Sequence, residues 1–345
     1  MNPKRRIIPV FIPNAGCEHE CVFCDQRRIT GVDICVTAAD IHRIIENGNL
    51  KIDNYETPNT LEIAFYGGSF TALTVDYQNE LLEAAQPLLS QNPLNSIRIS
   101  TRPDCIDENI VGRLKKYGVK TIELGAQSMC DSVLEATGRG HTSLDVVRAA
   151  GVIKSAGLSL ILQMMTGLPG DDRDKSLDTA KQFVSLMPDG VRIYPTVVVR
   201  GTRLHEMWLS GDYMEHTLQE AVELCAELLL IFEENETPVI RIGLNPTEQL
   251  SSTDAIAGAY HPALGELVYS RVYYNKAAAL LEGVAPGSDV TITVGKGRIS
   301  AMTGHHRQNI EGLKSAFGLR SLKIAEAETG NHSINLMSNQ VLKKD

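Results

Sequence analysis

From residue 7 to about residue 200, short apolar runs alternate with longer amphipathic segments, and this alternation restricts the fold more than any other feature. The apolar runs are 7–13 (IIPVFIP), 61–68 (LEIAFYGG), 96–103 (SIRISTRP), 119–127 (VKTIELGAQ), 158–165 (LSLILQMM) and 190–199 (GVRIYPTVVV). Each is short, rich in β-branched and aliphatic residues, and bounded by turn formers, which reads as a strand. Between them, segments such as 107–118 (DENIVGRLKKYG) and 143–157 (SLDVVRAAGVIKSAG) carry apolar residues at helical spacing. Strand-helix alternation with short loops implies parallel strands joined by right-handed crossovers. Six such units are too few for a closed eight-fold barrel, so the expected fold is α/β, a partial (βα)6 TIM-type barrel. The runs GGSF, STRPD, GAQS and TGLPG all fall just after these strands. In parallel barrels that carboxyl-end rim is where sites are built.

The alternation ends with a long helical stretch at 215–235 and a strand-like PVIRIGL at 238–244. From about Gly258 the pattern changes, which suggests a barrel domain over 1–245 and a small α+β domain over 258–345. Within the small domain 289–295 (DVTITVG) reads as a strand and 296–304 (KGRISAMTG) as a short helix and turn. A helix at 308–318 (QNIEGLKSAFG) and a strand at 319–326 (LRSLKIAE) follow. Residues 295–324 hold six basic residues against Glu311 alone, in a chain of net charge -9. That overall charge argues against a broad nucleic-acid footprint, which depends on phosphate neutralisation, but it leaves room for a local basic patch.

No apolar run approaches the roughly 20 residues that a membrane helix needs. The start MNPKRRIIPVFIPNAG is basic, but its apolar core is interrupted by Pro9 and Pro13, unlike a secretory signal. A cytoplasmic protein with no membrane partner is expected. The chain has seven cysteines, an odd number, and Cys35, Cys105, Cys130 and Cys225 are scattered. A disulfide framework is a poor fit, and a reducing compartment a better one.

The other three cysteines, Cys17, Cys21 and Cys24, form a C-x3-C-x2-C run within NAGCEHECVFCDQ, directly after the first strand. Thiolates select soft metals. Structural zinc wants four closed ligands, usually two C-x2-C knuckles; here His19 or Cys35 would have to supply the fourth. A four-iron four-sulfur cube takes one thiolate per iron. Three cysteines would cover three corners and leave one iron open, with Phe23 beside it.

A C-x3-C-x2-C loop with an aromatic before its last cysteine, followed by YGGSF after the second strand, resembles the radical S-adenosylmethionine (SAM) superfamily. The resemblance spans residues 7 to about 200. Within the superfamily, STRPD (100–104), ELGAQS (123–128), GRGHT (138–142) and YPTVVVRGTRLHEMWLSGDY (194–213) resemble the Elongator catalytic subunit family, which modifies the wobble uridine of tRNA. That family's acetyltransferase domain has no counterpart in these residues. The resemblance implies that Cys17, Cys21 and Cys24 hold a 4Fe-4S cluster whose open iron is chelated by SAM. One-electron cleavage of SAM would then release a 5′-deoxyadenosyl radical. It also implies an electron donor of flavodoxin or ferredoxin type and a tRNA or other RNA substrate.

Further roles follow from the resemblance. Gly67 and Gly68 would receive the methionine amino group through backbone carbonyls, with Ser69 beside them. Ser100, Thr101 and Arg102 would contact the ribose or carboxylate of SAM, Gln127 the ribose, Arg139 the carboxylate and Gln163 the adenosyl group. Tyr194, Thr196 and Arg200, at the end of the last strand run, are substrate-side candidates. The small domain resembles a KH-type RNA-binding core, with GHHR (Gly304, His305, His306, Arg307) in place of a backbone-clamping GxxG loop. Two other readings stand beside this one: radical chemistry on a small molecule such as a porphyrin, and a non-catalytic zinc- or RNA-binding protein.

Overall fold

In the computed structural model, residues 5–13, 16–17, 21–30, 36–49, 60–247, 250–328 and 333–338 are described. His19 and Cys35, the candidate fourth zinc ligands, lie outside them. The chain divides into two compact units, one of Met1–Ala221 with Ile231–Pro262, the other of Val222–Leu230 with Ala263–Asp345.

The first unit opens with β1 (Arg5–Phe11), α1 (Gln26–Thr30), α2 (Ala38–Asn49), β2 (Thr60–Tyr66), α3 (Val75–Ala84) and α4 (Gln86–Gln91). It continues with β3 (Ser96–Thr101), α5 (Glu108–Lys116), β4 (Val119–Gln127), α6 (Asp131–Ala136), α7 (Ser143–Ser155) and β5 (Ser159–Thr166). Next come α8 (Arg173–Ser185), β6 (Gly190–Pro195), β7 (Val197–Val199), α9 (Arg203–Ser210) and α10 (Leu218–Glu234), of which Val222–Leu230 counts with the second unit. Strands β8 (Val239–Ile242) and β9 (Ala255–Gly258) complete it. Helix starts are written locally: Thr142 with Asp145, and Thr217 with Glu220, form reciprocal capping boxes at α7 and α10.

Seven strands form one sheet in the order β1-β2-β3-β4-β5-β6-β8, every pair parallel. This is the expected α/β partial barrel, extended by β8, the PVIRIGL stretch, as a seventh strand. The run 190–199 is divided. Pro195 has no N–H to continue the ladder, and Thr196 turns away, its N–H and Oγ1 both donating to the Thr166 carbonyl at 2.9 and 2.7 Å. Val197–Val199 then pair antiparallel with β9 in a separate ribbon.

Alternation along the strands sets two different faces. On one, Leu61, Ile63, Phe65, Ile97, Ile99, Ile122, Leu124, Leu160 and Leu162 are all 4 % exposed or less. Each such side chain contributes about 1.5–3 kcal/mol by leaving water. The other face carries Glu62, Tyr66, Arg98, Glu123, Gln163 and Arg192, also removed from bulk solvent. Arg192 Nη2 on β6 donates to Tyr66 Oη on β2 at 3.1 Å, across three intervening strands. Neighbouring strands lie about 4.8 Å apart, so this contact requires the sheet to be rolled, with the charged residues on its concave side.

The second unit contains α11 (Leu264–Leu281), β10 (Asp289–Val294), α12 (Ile299–Thr303), α13 (Gln308–Phe317), β11 (Ser321–Glu326) and β12 (Ile334–Ser338). Its sheet runs β11-β10-β12, with β10 parallel to β11 and antiparallel to β12. Tyr273, Ile292, Val294, Met302 and Leu313 form its core, each fully buried. No described helix is long and apolar enough to cross a membrane.

Candidate active site at the carboxyl ends of the strands

The cysteine loop is fixed by backbone groups on both sides of Val22. The Val22 N–H donates to the Thr137 carbonyl at 3.1 Å, and its carbonyl accepts from the Leu204 N–H at 2.7 Å. Val22 and Phe23 are buried in an apolar cluster with Val133, Leu168, Val198, Leu204 and Tyr213, and Cys21 and Cys24 pack against it. Phe23 is thus part of the wall behind the thiols.

Gly16 shows how closely this loop approaches the turn after β2. Its φ is +74°, and a Cβ there would sit 2.3 Å from the Ser69 carbonyl oxygen, so only glycine fits. Gly67 also has a left-handed φ, +89°. Ser69 and Thr101 brace the turn from within. Ser69 Oγ and Thr101 Oγ1 are 3.0 Å apart, Thr71 Oγ1 lies 2.5 Å from Thr101 Oγ1, and the Arg102 N–H donates to Ser69 Oγ at 3.3 Å. With Ser69 and Thr101 buried, their hydroxyls serve this internal network. Ser100 faces Glu123 in the β3–β4 register and is half-buried.

Arg139 is the pivot of the site. Its Nη1 is 3.2 Å from Cys21 Sγ and its Nη2 donates to the Gly125 carbonyl at 2.5 Å, while Nε is buried without a partner. Arg102 holds the Arg139 carbonyl through Nη2 at 2.5 Å and grips Asp104 with both arms of its fork, at 3.0 and 2.9 Å. A Cβ on Gly125 would lie 2.9 Å from Gln127 Nε2 and 3.4 Å from Arg139 Nη2. Gln127 takes a left-handed φ of +66°, unusual for a non-glycine residue, and Gln163 Nε2 reaches its Oε1 at 3.5 Å. Arg102, Gln127, Arg139 and Gln163, drawn from four rim segments, therefore meet beside the thiols. Gly16 and Gly125, inside NAGCEHECVFCDQ and ELGAQS, are packing positions of the site that motif spacing alone does not mark. His141 is a third. It is buried, its Nε2 lies 3.1 Å from the Ala126 carbonyl, its Nδ1 has no partner, and burial, then Arg139, pushes it down to about 4.

The donor set fits an iron-sulfur cluster. Burial, then the charges of Cys21 and Cys17, push the Cys24 thiol up to about 12, against a 3.3 Å hydrogen bond from Gln26 Nε2. Cys17 is raised by burial of its thiol and by Cys21, and lowered by Ser69, Arg139 and Arg102. Cys17 and Cys24 thus resist ionising alone, whereas a metal centre deprotonates its thiols outright. Among the described residues no three His, Cys, Asp or Glu side chains converge on a single ion. A cluster with one thiolate at each of several irons asks for no such convergence.

The remaining candidates are placed apart from the thiols. Tyr194 lies inside the barrel, accepting from Arg192 Nη1 at 3.3 Å. Thr196 is fully buried in its bond to Thr166. Arg200 is exposed beside the β7–β9 ribbon, its Nε donating to the Thr253 carbonyl at 3.2 Å. In the second unit, Gly304, His306 and Arg307 take φ values of +74°, +47° and +63° ahead of α13, and His305, His306 and Arg307 are exposed.

A three-thiol loop after the first strand of a rolled parallel sheet, beside a glycine turn and an arginine aimed at the sulfurs, defines a class of enzyme. The chain belongs to the radical SAM superfamily, whose profile matches residues 11–183, with the Radical_SAM C-terminal domain matching 188–274. Its cofactors are accordingly a 4Fe-4S cluster and S-adenosylmethionine. Among curated proteins it is similar to the tRNA uridine(34) acetyltransferase of Methanocaldococcus jannaschii, 29% identical over 61% of this chain and 42% of the relative. Elongator complex protein 3 of Homo sapiens is also 29% identical, with the same two coverages. The chain thus spans less than half the length of these relatives. Among solved structures it resembles an N-terminally truncated archaeal Elp3 from Methanocaldococcus infernus, with TM-score 0.62 and 24% identity, covering 80% of this chain and 64% of that one.

Proposed function

We propose that this chain is a radical SAM enzyme that modifies RNA, with tRNA as its substrate. The observation that carries the reading is Arg139, whose guanidinium links Cys21 to Gly125 beside Gln127. The tRNA assignment rests on the relatives named for uridine 34 of tRNA. When bound, the cluster and SAM supply reductive cleavage of the sulfonium and a 5′-deoxyadenosyl radical for hydrogen abstraction.

The chain's own residues do the positioning. Cys17, Cys21 and Cys24 ligate three irons. The backbone carbonyls at Gly67 and Gly68 receive the methionine ammonium, and Arg139, with its unpartnered Nε, receives the carboxylate. Gln127 and Gln163 face the nucleoside, with Arg102 holding Arg139 in place. The apolar wall of Phe23, Val133, Leu168 and Val198 packs against Cys21 and Cys24 and shields that side of them. In the small unit, the exposed His305, His306 and Arg307 and neighbouring basic residues bind the RNA backbone. An electron donor of flavodoxin or ferredoxin type completes the system. None of the six described cysteines is in a disulfide, which supports a reducing compartment.

Anoxic reconstitution followed by SAM and dithionite tests the enzyme. About four irons per chain and release of 5′-deoxyadenosine are expected; absence of both overturns the reading. Binding of tRNA that neither weakens with salt nor changes in Arg307→Ala overturns the RNA assignment.

A further inference from the structure

The concave face of the sheet holds a charge network that the cofactors do not use. Glu62, with no exposed surface, receives Arg98 Nε at 2.8 Å. Arg98 Nη1 also reaches Glu123 Oε1, at 2.5 Å. That same oxygen accepts from Arg192 Nη2 at 3.0 Å and from Tyr66 Oη at 3.2 Å. Arg241 stands beside Arg192 in the β6–β8 register, and its charge acts on Tyr194.

This network is unbalanced in two ways. Among the described residues three guanidiniums, Arg98, Arg192 and the half-buried Arg241, whose Nε donates to the Gly243 carbonyl, stand against two carboxylates, Glu62 and Glu123, an excess of one positive charge. Like charges in register on neighbouring strands also repel. Second, donors are left over. Arg192 Nε is buried without an acceptor, a state that costs about 1–3 kcal/mol. Tyr194 Oη accepts from Arg192, and among the described contacts nothing accepts its own proton. Tyr66, Gln163 and Tyr194 are half-buried, so the face is not sealed from solvent.

We propose that the concave face, at Arg192, Tyr194 and Arg241, is a binding site for the carboxylate of a small substrate. This deepens the proposed function, on which it rests, by naming a chemical group the enzyme takes besides RNA. A carboxylate is a planar monoanion with two acceptor oxygens. It accepts from Arg192 Nε–H and the Tyr194 hydroxyl and offsets the one surplus charge. A phosphate dianion would reverse the imbalance, and a neutral amide or carbonyl would leave it standing. Burial makes either mismatch costly. Tyr66 and Glu123 hold the Arg192 fork in place and act as positioning residues.

The test is saturation-transfer NMR with acetate as probe, on reconstituted holoenzyme with saturating SAM so that the methionine carboxylate's own site is filled. Saturable acetate binding is expected, with no displacement by acetamide or inorganic phosphate. Arg192→Lys should abolish it. Tyr194→Phe, which keeps the Arg192 bonds to Tyr66 and Glu123, should weaken it about tenfold. If Arg192→Lys fails to fold, Tyr194→Phe carries the comparison. No saturable binding, equal competition by acetamide or phosphate, or unchanged affinity in Tyr194→Phe overturns the site. Release of 5′-deoxyadenosine without acetate binding overturns the site and leaves the radical SAM reading standing. Acetate binding without 5′-deoxyadenosine does the reverse.

Discussion

Arg139 stands with one guanidinium nitrogen 3.2 Å from Cys21 Sγ and the other 2.5 Å from the Gly125 carbonyl oxygen. A residue far along the chain thereby ties the cysteine loop to the end of β4. Charge-assisted hydrogen bonds of this kind contribute about 1.5–3 kcal/mol. Arg139→Gln should therefore weaken SAM binding by about 10- to 100-fold while iron content after reconstitution stays near that of the parent. Equilibrium dialysis with SAM, beside an iron assay, separates the two effects.

Gly16 permits no side chain. In Gly16→Ala the added methyl would need to move the Ser69 carbonyl, and the left-handed φ adds strain of about 1–3 kcal/mol. Iron incorporation should fall steeply, and the denaturation midpoint should drop. Gly151→Ala in α7, where a Cβ meets nothing within 4 Å, should leave iron incorporation unchanged.

The ion pairs on the concave face are buried, so breaking one costs more than making it gained. Arg98→Met takes the guanidinium away from Glu62 and Glu123, at 0% and 3% side-chain exposure, leaving Glu62 with neutral hydroxyl donors and Glu123 with Arg192 and Tyr66. A loss of about 3–5 kcal/mol in unfolding free energy is expected, read from chemical denaturation.

His141 gives the fold an acid-sensitive point. Its pKa is pushed from 6.5 down to about 4 by burial and by Arg139. The unfolded chain thus binds a proton that the folded chain refuses between these values. The contribution is fully present above pH 6.5 and is lost as pH falls toward 4, with a limiting slope of about 1.4 kcal/mol per pH unit. Stability of the parent minus that of His141→Gln, followed from pH 7.5 to 4, should be flat at the high end and shrink at the low end.

If the small unit grips RNA by its phosphates, tRNA affinity should fall log-linearly with salt. Arg307→Ala should lower both the affinity and, by about one, the magnitude of the salt slope. Arg320 and Lys314 already have acidic neighbours in Asp289 and Glu311, so Arg320→Ala should change the slope less.

Periodicity made β1 to β6 readable, because each run is apolar, short and closed by turn residues. It could not separate β6 from β7: GVRIYPTVVV is continuous in hydropathy, and the break comes from one missing N–H and the Thr196 bonds to Thr166. Nor could it find β12, whose pairing with β10 is a tertiary choice. The three thiols and Arg139 were legible as motif residues. Gly16 and Gly125 were not singled out, since their necessity comes from approaches made by Ser69, Gln127 and Arg139. The charged ladder was hidden for a different reason. Polar residues at every second strand position ordinarily mean a sheet with one wet face; here rolling brings Arg192 against Tyr66, and Glu62, Arg98 and Glu123 are enclosed.

The bond from the Leu204 N–H to the Val22 carbonyl also sets an order of events. During synthesis the thiols emerge about 180 residues before the helix that clasps their loop. At about 5–20 residues per second that interval is on the order of 10 to 40 s. Until α9 arrives the loop can be held only from one side, by the Thr137 carbonyl and Arg139, and the cysteines are less well fixed. Correct loading is therefore tied to completion of the barrel. A cell that delivers its iron-sulfur units to the finished fold, rather than to the growing chain, gains the most from this arrangement.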